Sequence, residues 1–115
     1  MRFLLLIPLL ACSNQGAEDS GSPGVCDTAP PVNYINFGEG FLMENCQGCH
    51  ASTAPNRYGA TEGVIFDTVE DAWIWRDRIL ARALDETNPM PPAGGVSVDN
   101  LDRLQWWLDC AEEGI

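Results

Sequence analysis

Cys46-Gln47-Gly48-Cys49-His50 governs how the rest of the chain is read, because two cysteines three positions apart with a histidine directly after them form the attachment pattern of a c-type haem. The spacing has a physical reason. On one helical turn the two sulfurs project from one face and reach the two vinyl groups of a porphyrin as thioethers, while His50 is placed to bind the iron as proximal ligand. Two other chemistries use paired cysteines. A structural zinc site takes four Cys or His ligands, usually as two close pairs, and this chain has one such pair and a single histidine. A thioredoxin-like dithiol lies between a strand and a helix, and nothing upstream of Cys46 reads as a strand. One pentapeptide of this kind predicts one covalently bound haem c on Cys46 and Cys49, with His50 on its iron.

Asn88-Pro89-Met90-Pro91-Pro92-Ala93-Gly94-Gly95 is the second chemical signal. Prolines fix φ and remove backbone donors, so this run breaks helical periodicity and presents a methionine in a restrained turn. Of the three methionines, Met1 belongs to a leader and Met43 lies one helical turn before Cys46, on the wrong element to approach the far side of the iron. Met90 is the candidate second axial ligand. Its neutral, soft thioether favours ferrous iron and raises the reduction potential. An iron that keeps both ligands in both oxidation states rearranges little per electron, as a carrier requires. The alternative is a loop methionine used only for packing.

The chain opens with one basic residue, Arg2, and an apolar run ending at Ala11 before Cys12, the pattern of a secretion signal over residues 1–11. It is far shorter than the ~20 apolar residues that span a bilayer. Leu9-Leu10-Ala11-Cys12 resembles the lipobox of bacterial lipoproteins, which implies cleavage before Cys12 and lipidation of its sulfur; several acyl chains there would anchor the protein stably to a membrane. An ordinary signal cleaved nearby, with Cys12 a spare thiol, is the alternative. Residues 12–31 are rich in Gly, Ser, Pro, Asn and acids and read as a flexible tether. Of the five cysteines, Cys26 and Cys110 then remain. In an oxidising compartment they form a candidate disulfide, worth roughly 4 to 5 kcal/mol in the chain-entropy model; two unpaired thiols is the other reading, since sequence does not supply the Cα separation.

Residues 32–115 leave room for one small domain, in which a haem, its thioethers and a disulfide would supplement a modest core. The net charge is −11, and losing Arg2 leaves five basic against seventeen acidic side chains. No lysine occurs. Nucleic acid is excluded as a partner on this ground, and redox partner proteins basic or neutral at the docking face are favoured, with simple solubility as the bland alternative.

Apolar spacing predicts a helix from about Asn33 through Tyr34, Ile35, Phe37, Phe41, Leu42 and Met43 into the haem motif. Gly38 and Gly40 weaken it by roughly 1 kcal/mol each but permit close crossing by another helix. Residues 51–63 have loop composition and would wrap the proximal side. A second helix, capped by Asp67 or Thr68, runs to about Leu84; its arginines read as a solvated face, one of which can pair with a propionate. Arg57, Tyr58, Trp73 and Trp75 are candidate propionate neighbours. The last helix starts at Ser97 and carries Leu101, Leu104, Trp107, Leu108 and Ala111, with Gly114 as its stop and one of Trp106 and Trp107 in the core. No strand-like alternation and no internal repeat is visible.

Taken together, Cys46-x-x-Cys49-His50, the Met90-Pro91-Pro92 turn and the final helix around Trp107-Leu108 resemble the small mono-haem cytochrome c domain of class I type, over residues 32–114. The resemblance implies an all-α fold, three to four helices wrapped around one covalently attached haem, with the first and last helices crossing near the haem edge. His50 would be proximal and Met90 distal, and the crossing would bring Cys26 towards Cys110. The lysine-free surface departs from the soluble mitochondrial members and puts their partner set in doubt.

The expected function is one-electron transfer without a chemical substrate, by an electron carrier tethered to a membrane through its lipid on the periplasmic side of a bacterial cell envelope. A haem with an open or displaceable distal site, acting as sensor or peroxidase, is the alternative; the absence of a second histidine for acid–base work disfavours it. An electron-entry module of a larger oxidoreductase complex is the third reading.

Overall fold

Every regular element is helical among residues 24–115, which are those the computed structural model describes. The predicted signal, Cys12 and the first part of the tether lie outside the described residues. Five α-helices follow in order: α1 (Glu39–Asn45), α2 (Gln47–His50), α3 (Val69–Ile74), α4 (Arg76–Ala83) and α5 (Val98–Cys110). A single wide π-type turn, Tyr34–Gly38, precedes α1, and a 3₁₀ turn, Glu112–Gly114, follows α5. None of these helices is long and apolar enough to cross a membrane.

The three predicted helical runs are present, but two of them are broken. The first opens with a capping box in which Asn33 and Asn36 exchange side-chain-to-backbone hydrogen bonds, satisfying donors that a helix start leaves orphaned. It breaks at Cys46, whose backbone leaves the helical region (φ −124°, ψ −44°). Asn45 Nδ2 donates to the Phe41 carbonyl there at 3.1 Å. The second opens on Thr68, capped reciprocally with Asp71, and breaks at Trp75 rather than running unbroken to Leu84. The carbonyl of Trp73 at this break accepts from Arg76 Nη1 (3.1 Å), and the Arg76 guanidinium stacks over the Trp73 ring at 4.7 Å. At the second break a side chain thus bonds a backbone carbonyl beside the interruption, whereas at the first the Cys46 N–H still reaches the Leu42 carbonyl at 2.9 Å. The third begins at Ser97, whose Oγ accepts from Asn100 N (3.2 Å). It ends at Cys110, earlier than the predicted stop at Gly114; the left-handed residue of the following turn is Glu113 (φ 50°).

The core collects Phe41 and Leu42 of α1, Phe66, Ala72 of α3, Ile79 of α4, and Leu104, Trp107 and Leu108 of α5. Trp107 is its centre. The indole is fully buried, with Tyr34 at 6.1 Å between ring centroids and Phe37 edge-on at 6.5 Å. Trp106 is half-buried, as two successive positions on a helix face different directions. Gly38 makes the crossing: a Cβ there would lie 2.6 Å from Trp107 Cζ2. Only a residue without a side chain fits this approach. Gly40 has open space around it and plays no such part.

Cys26 and Cys110 come together as a disulfide, with Cα atoms 5.3 Å apart and a sequence separation of 84. The end of the segment expected to be a flexible tether is accordingly fastened to the C-terminal end of α5. Local bonds order it further: Gly24 and Asp27 close a turn, and Asn36 Nδ2 donates to the Pro31 carbonyl at 2.8 Å.

Candidate functional site

Residues 46–50 form one helical turn after the break at Cys46, closed by hydrogen bonds from Cys49 N and His50 N to the Cys46 carbonyl (3.2 and 2.9 Å). Both thiols are free and half-buried. Burial pushes the Cys46 thiol up to about 12, so at neutral pH it is protonated, the reverse of the lowered pKa that a redox-active dithiol needs. Among the described residues no three His, Cys, Asp or Glu side chains are grouped to share an ion, which leaves a zinc reading without its donor set.

The chain returns to this turn after the loop that follows it. Loop residues 51–63 pass through left-handed positions at Tyr58, Gly59 and Gly63, and residues 64–66 then lie against α2. Phe66 N donates to the His50 carbonyl at 2.8 Å. Gln47 Nε2 donates to the Phe66 carbonyl at 2.9 Å. The Phe66 ring lies against the imidazole, 4.8 Å between centroids and tilted by 35°. The imidazole itself is held by Val64, whose carbonyl is 2.9 Å from His50 Nδ1. A carbonyl only accepts, so the proton is on Nδ1 and the lone pair is left on Nε2. This is the tautomer and the backbone anchor that metal-ligating histidines use.

The same loop is pinned by two further side chains. Arg57 donates from Nη2 to the carbonyls of Thr61 (2.9 Å) and Val64 (3.2 Å) and from Nη1 to that of Ala51 (3.5 Å). Asp67 accepts from Ser52 N (2.9 Å) and from the Ser52 hydroxyl. These Ser52 hydrogen bonds, with a smaller attraction from Arg57, hold the Asp67 carboxyl below its ordinary range.

Met90 stands on a different wall. Its N–H donates to the Arg82 carbonyl at the end of α4 (3.0 Å), and the preceding bend is organised by Asp85. Thr87 N, Thr87 Oγ1 and Asn88 N all donate to Asp85 Oδ1 at 2.9, 2.8 and 3.2 Å, which lowers that carboxyl too. The Met90–Pro91 peptide is cis. Met90 is 37% exposed and lines an open groove of about 370 Å³ with Leu84, Pro89, Pro91, Val96 and Leu101, rimmed by Asp85, Glu86 and Asp102. Cys46, Cys49 and His50 do not line that groove. The structure thus unites three of the four predicted haem-binding residues on one turn and sets the fourth in a separate loop.

The residues present fit a covalently attached haem. Two thiols stand on one turn, neither of them in a disulfide. His50 has its Nε2 lone pair left for iron. Arg57 and Arg82 each keep a buried Nε without a hydrogen-bond partner, donors of the kind that propionate carboxylates accept. Tyr58 is mostly exposed, while Trp73 is engaged with Arg76 and Trp75 packs against the core. Val64, Phe66 and Gln47 were not singled out from sequence. Phe66 has an apolar signal, but the Val64 contribution is a main-chain carbonyl, on which residue type says nothing.

No family model matches the chain, and no curated protein or solved structure matches it. The functional reading therefore rests on the motif and this geometry.

Proposed function

We propose that the chain is a one-electron carrier, a small class I type cytochrome c domain with one haem c held by Cys46 and Cys49 and ligated by His50 and Met90. The observation that carries this reading is the Cys46–His50 turn with its imidazole already oriented through Nδ1 to the Val64 carbonyl. When bound, the haem supplies an iron that takes up and releases one electron. The chain does the rest. The two thiols fix the group to α2; Val64 and the Phe66 ring hold the His50 plane; the Arg82 carbonyl and the Asp85 bend position the Met90 loop. The lipobox-like leader supports a lipid tether on Cys12 and a place on the periplasmic side of the bacterial envelope. The acidic, lysine-free surface supports partner proteins that are basic or neutral where they dock.

A displaceable distal site, as in a sensor or peroxidase, is favoured by one observation, the exposure of Met90 in a groove that His50 does not share. Absorption spectroscopy of protein matured with haem decides between the two. A carrier shows a sulfur-to-iron charge-transfer band in the ferric form that disappears in Met90→Ala, and its ferrous form binds carbon monoxide slowly. Rapid carbon monoxide binding by the wild type refutes the carrier and leaves the open site. Whole-protein mass reports haem and acyl additions together, and an unmodified amino-terminal Cys12 thiol would remove the anchor.

A further inference from the structure

We propose that Arg57 raises the reduction potential of this site by sharing the Val64 carbonyl with His50, a positioning role exerted through the proximal imidazole. The inference rests on the haem reading above. Val64 O takes the His50 Nδ1 proton at 2.9 Å and an Arg57 Nη2 proton at 3.2 Å, so both of its lone pairs are in use. Arg57 is half-buried, and among the described residues no carboxylate lies within ion-pair distance of it. Its charge is directed at carbonyl oxygens instead: those of Ala51, Thr61 and Val64.

A cationic donor on one lone pair withdraws electron density from the oxygen, so the second donor is held less strongly. Hydrogen bonds from the far nitrogen of a ligating histidine set its basicity. A strong acceptor at Nδ1 gives the ring imidazolate character, which stabilises ferric iron; a weakened acceptor shifts the balance to ferrous. Arg57 therefore acts on the iron from the loop, with the left-handed turn at Gly63 (φ 83°) immediately before the shared carbonyl. Sequence offers Arg57 as a propionate partner. The geometry commits its two Nη atoms to carbonyls and leaves only Nε for such a role.

The test compares wild-type, Arg57→Gln and Arg57→Lys holoproteins by equilibrium redox titration and by NMR of the His50 Nδ1 proton in the diamagnetic ferrous form. Loss of one hydrogen-bonding donor of this kind predicts that Arg57→Gln shifts the equilibrium towards ferric iron by about threefold to tenfold, or about 30 to 60 mV at 59 mV per tenfold for one electron. The Nδ1 proton should move downfield as its bond to Val64 strengthens. Arg57→Lys keeps the charge without the planar fork and should fall between the two; it also carries the test should the glutamine variant fail to accumulate. An unchanged potential, a lower potential with an unmoved Nδ1 proton, or full restoration by lysine each overturns the assignment, the last two because charge alone would account for them. A colourless wild type overturns the haem reading and this assignment with it, whereas a coloured wild type with an inert Arg57 overturns the assignment alone.

Discussion

The crossing at Gly38 and the wall around Met90 are held by different forces. At the crossing, Trp107, Leu104 and Leu108 are buried almost completely, and the glycine lets the Tyr34–Gly38 turn approach the indole. At the methionine wall, Leu84 and Met90 keep 43% and 37% of their surface exposed. Order there comes from directional hydrogen bonds: Met90 N to the Arg82 carbonyl, and three donors on one Asp85 oxygen. The His50 turn belongs with the second kind, held by Val64 O, Phe66 N and Gln47 Nε2. The scaffold is fixed by packing and a covalent staple, and the segments that carry His50 and Met90 are fixed by polar contacts. Damage to the first should cost stability, and damage to the second should reorient His50 and Met90 at little cost in stability.

The largest effect is expected from the staple. Replacing both Cys26 and Cys110 by serine opens a loop of 84 residues and should lower unfolding free energy by about 4 to 5 kcal/mol in the chain-entropy model, measured by denaturant titration of holoprotein. The absorption spectrum of whatever remains folded should be unchanged. Trp107→Ala follows at about 3 to 5 kcal/mol, from the lost burial and the cavity left behind. Gly38→Ala should cost about 1 to 3 kcal/mol through overpacking against the indole, whereas Gly40→Ala, with open space around it, should cost nothing and gain helix propensity. Equal stabilities for the two glycine variants would break the contrast, because the crossing would then not depend on close approach.

The contrast also explains what the sequence made legible. Helical runs were readable from apolar spacing, since packing at 3.6 residues per turn leaves a periodic trace. Ser97 and Thr68 were readable as caps because the side chain does the capping. The breaks at Cys46 and Trp75 were not readable. Neither position carries glycine or proline, and Asn45 and Arg76, whose side chains bond carbonyls near the breaks, look like ordinary surface residues. Cys46, Cys49 and His50 stand out in the sequence by their spacing, and the structure places them on one turn. The orientation of His50 was not readable, because a carbonyl from residue 64 provides it and no residue type advertises a carbonyl. Gly38 was noted as a crossing residue, but only the structure separates it from Gly40.

The smallest expected effect tests the polar side of the contrast by acid titration. Asp85 and Asp67 are both held below their ordinary value of 3.8, chiefly by hydrogen bonds from Thr87 and Ser52 respectively. A carboxyl whose folded-state pKa is depressed lends stability above the unfolded value and loses it as pH falls through the folded one. Asp67 is exposed and Asp85 only partly covered, so solvent screens both and global stability should change little between pH 6 and about pH 4. Below that, the amide protons of Thr87, Asn88 and Ser52 should move as their acceptors are protonated, with midpoints under 3.8. Asp85→Asn should abolish the titration at Thr87 and Asn88 and leave that at Ser52, since the two carboxyls serve different loops. If Met90 is a ligand, the charge-transfer band should weaken over the same acid range in the wild type before the tryptophan core unfolds. A band that persists until Trp107 fluorescence reports global unfolding would show that packing, rather than the Asp85 bend, holds the methionine loop.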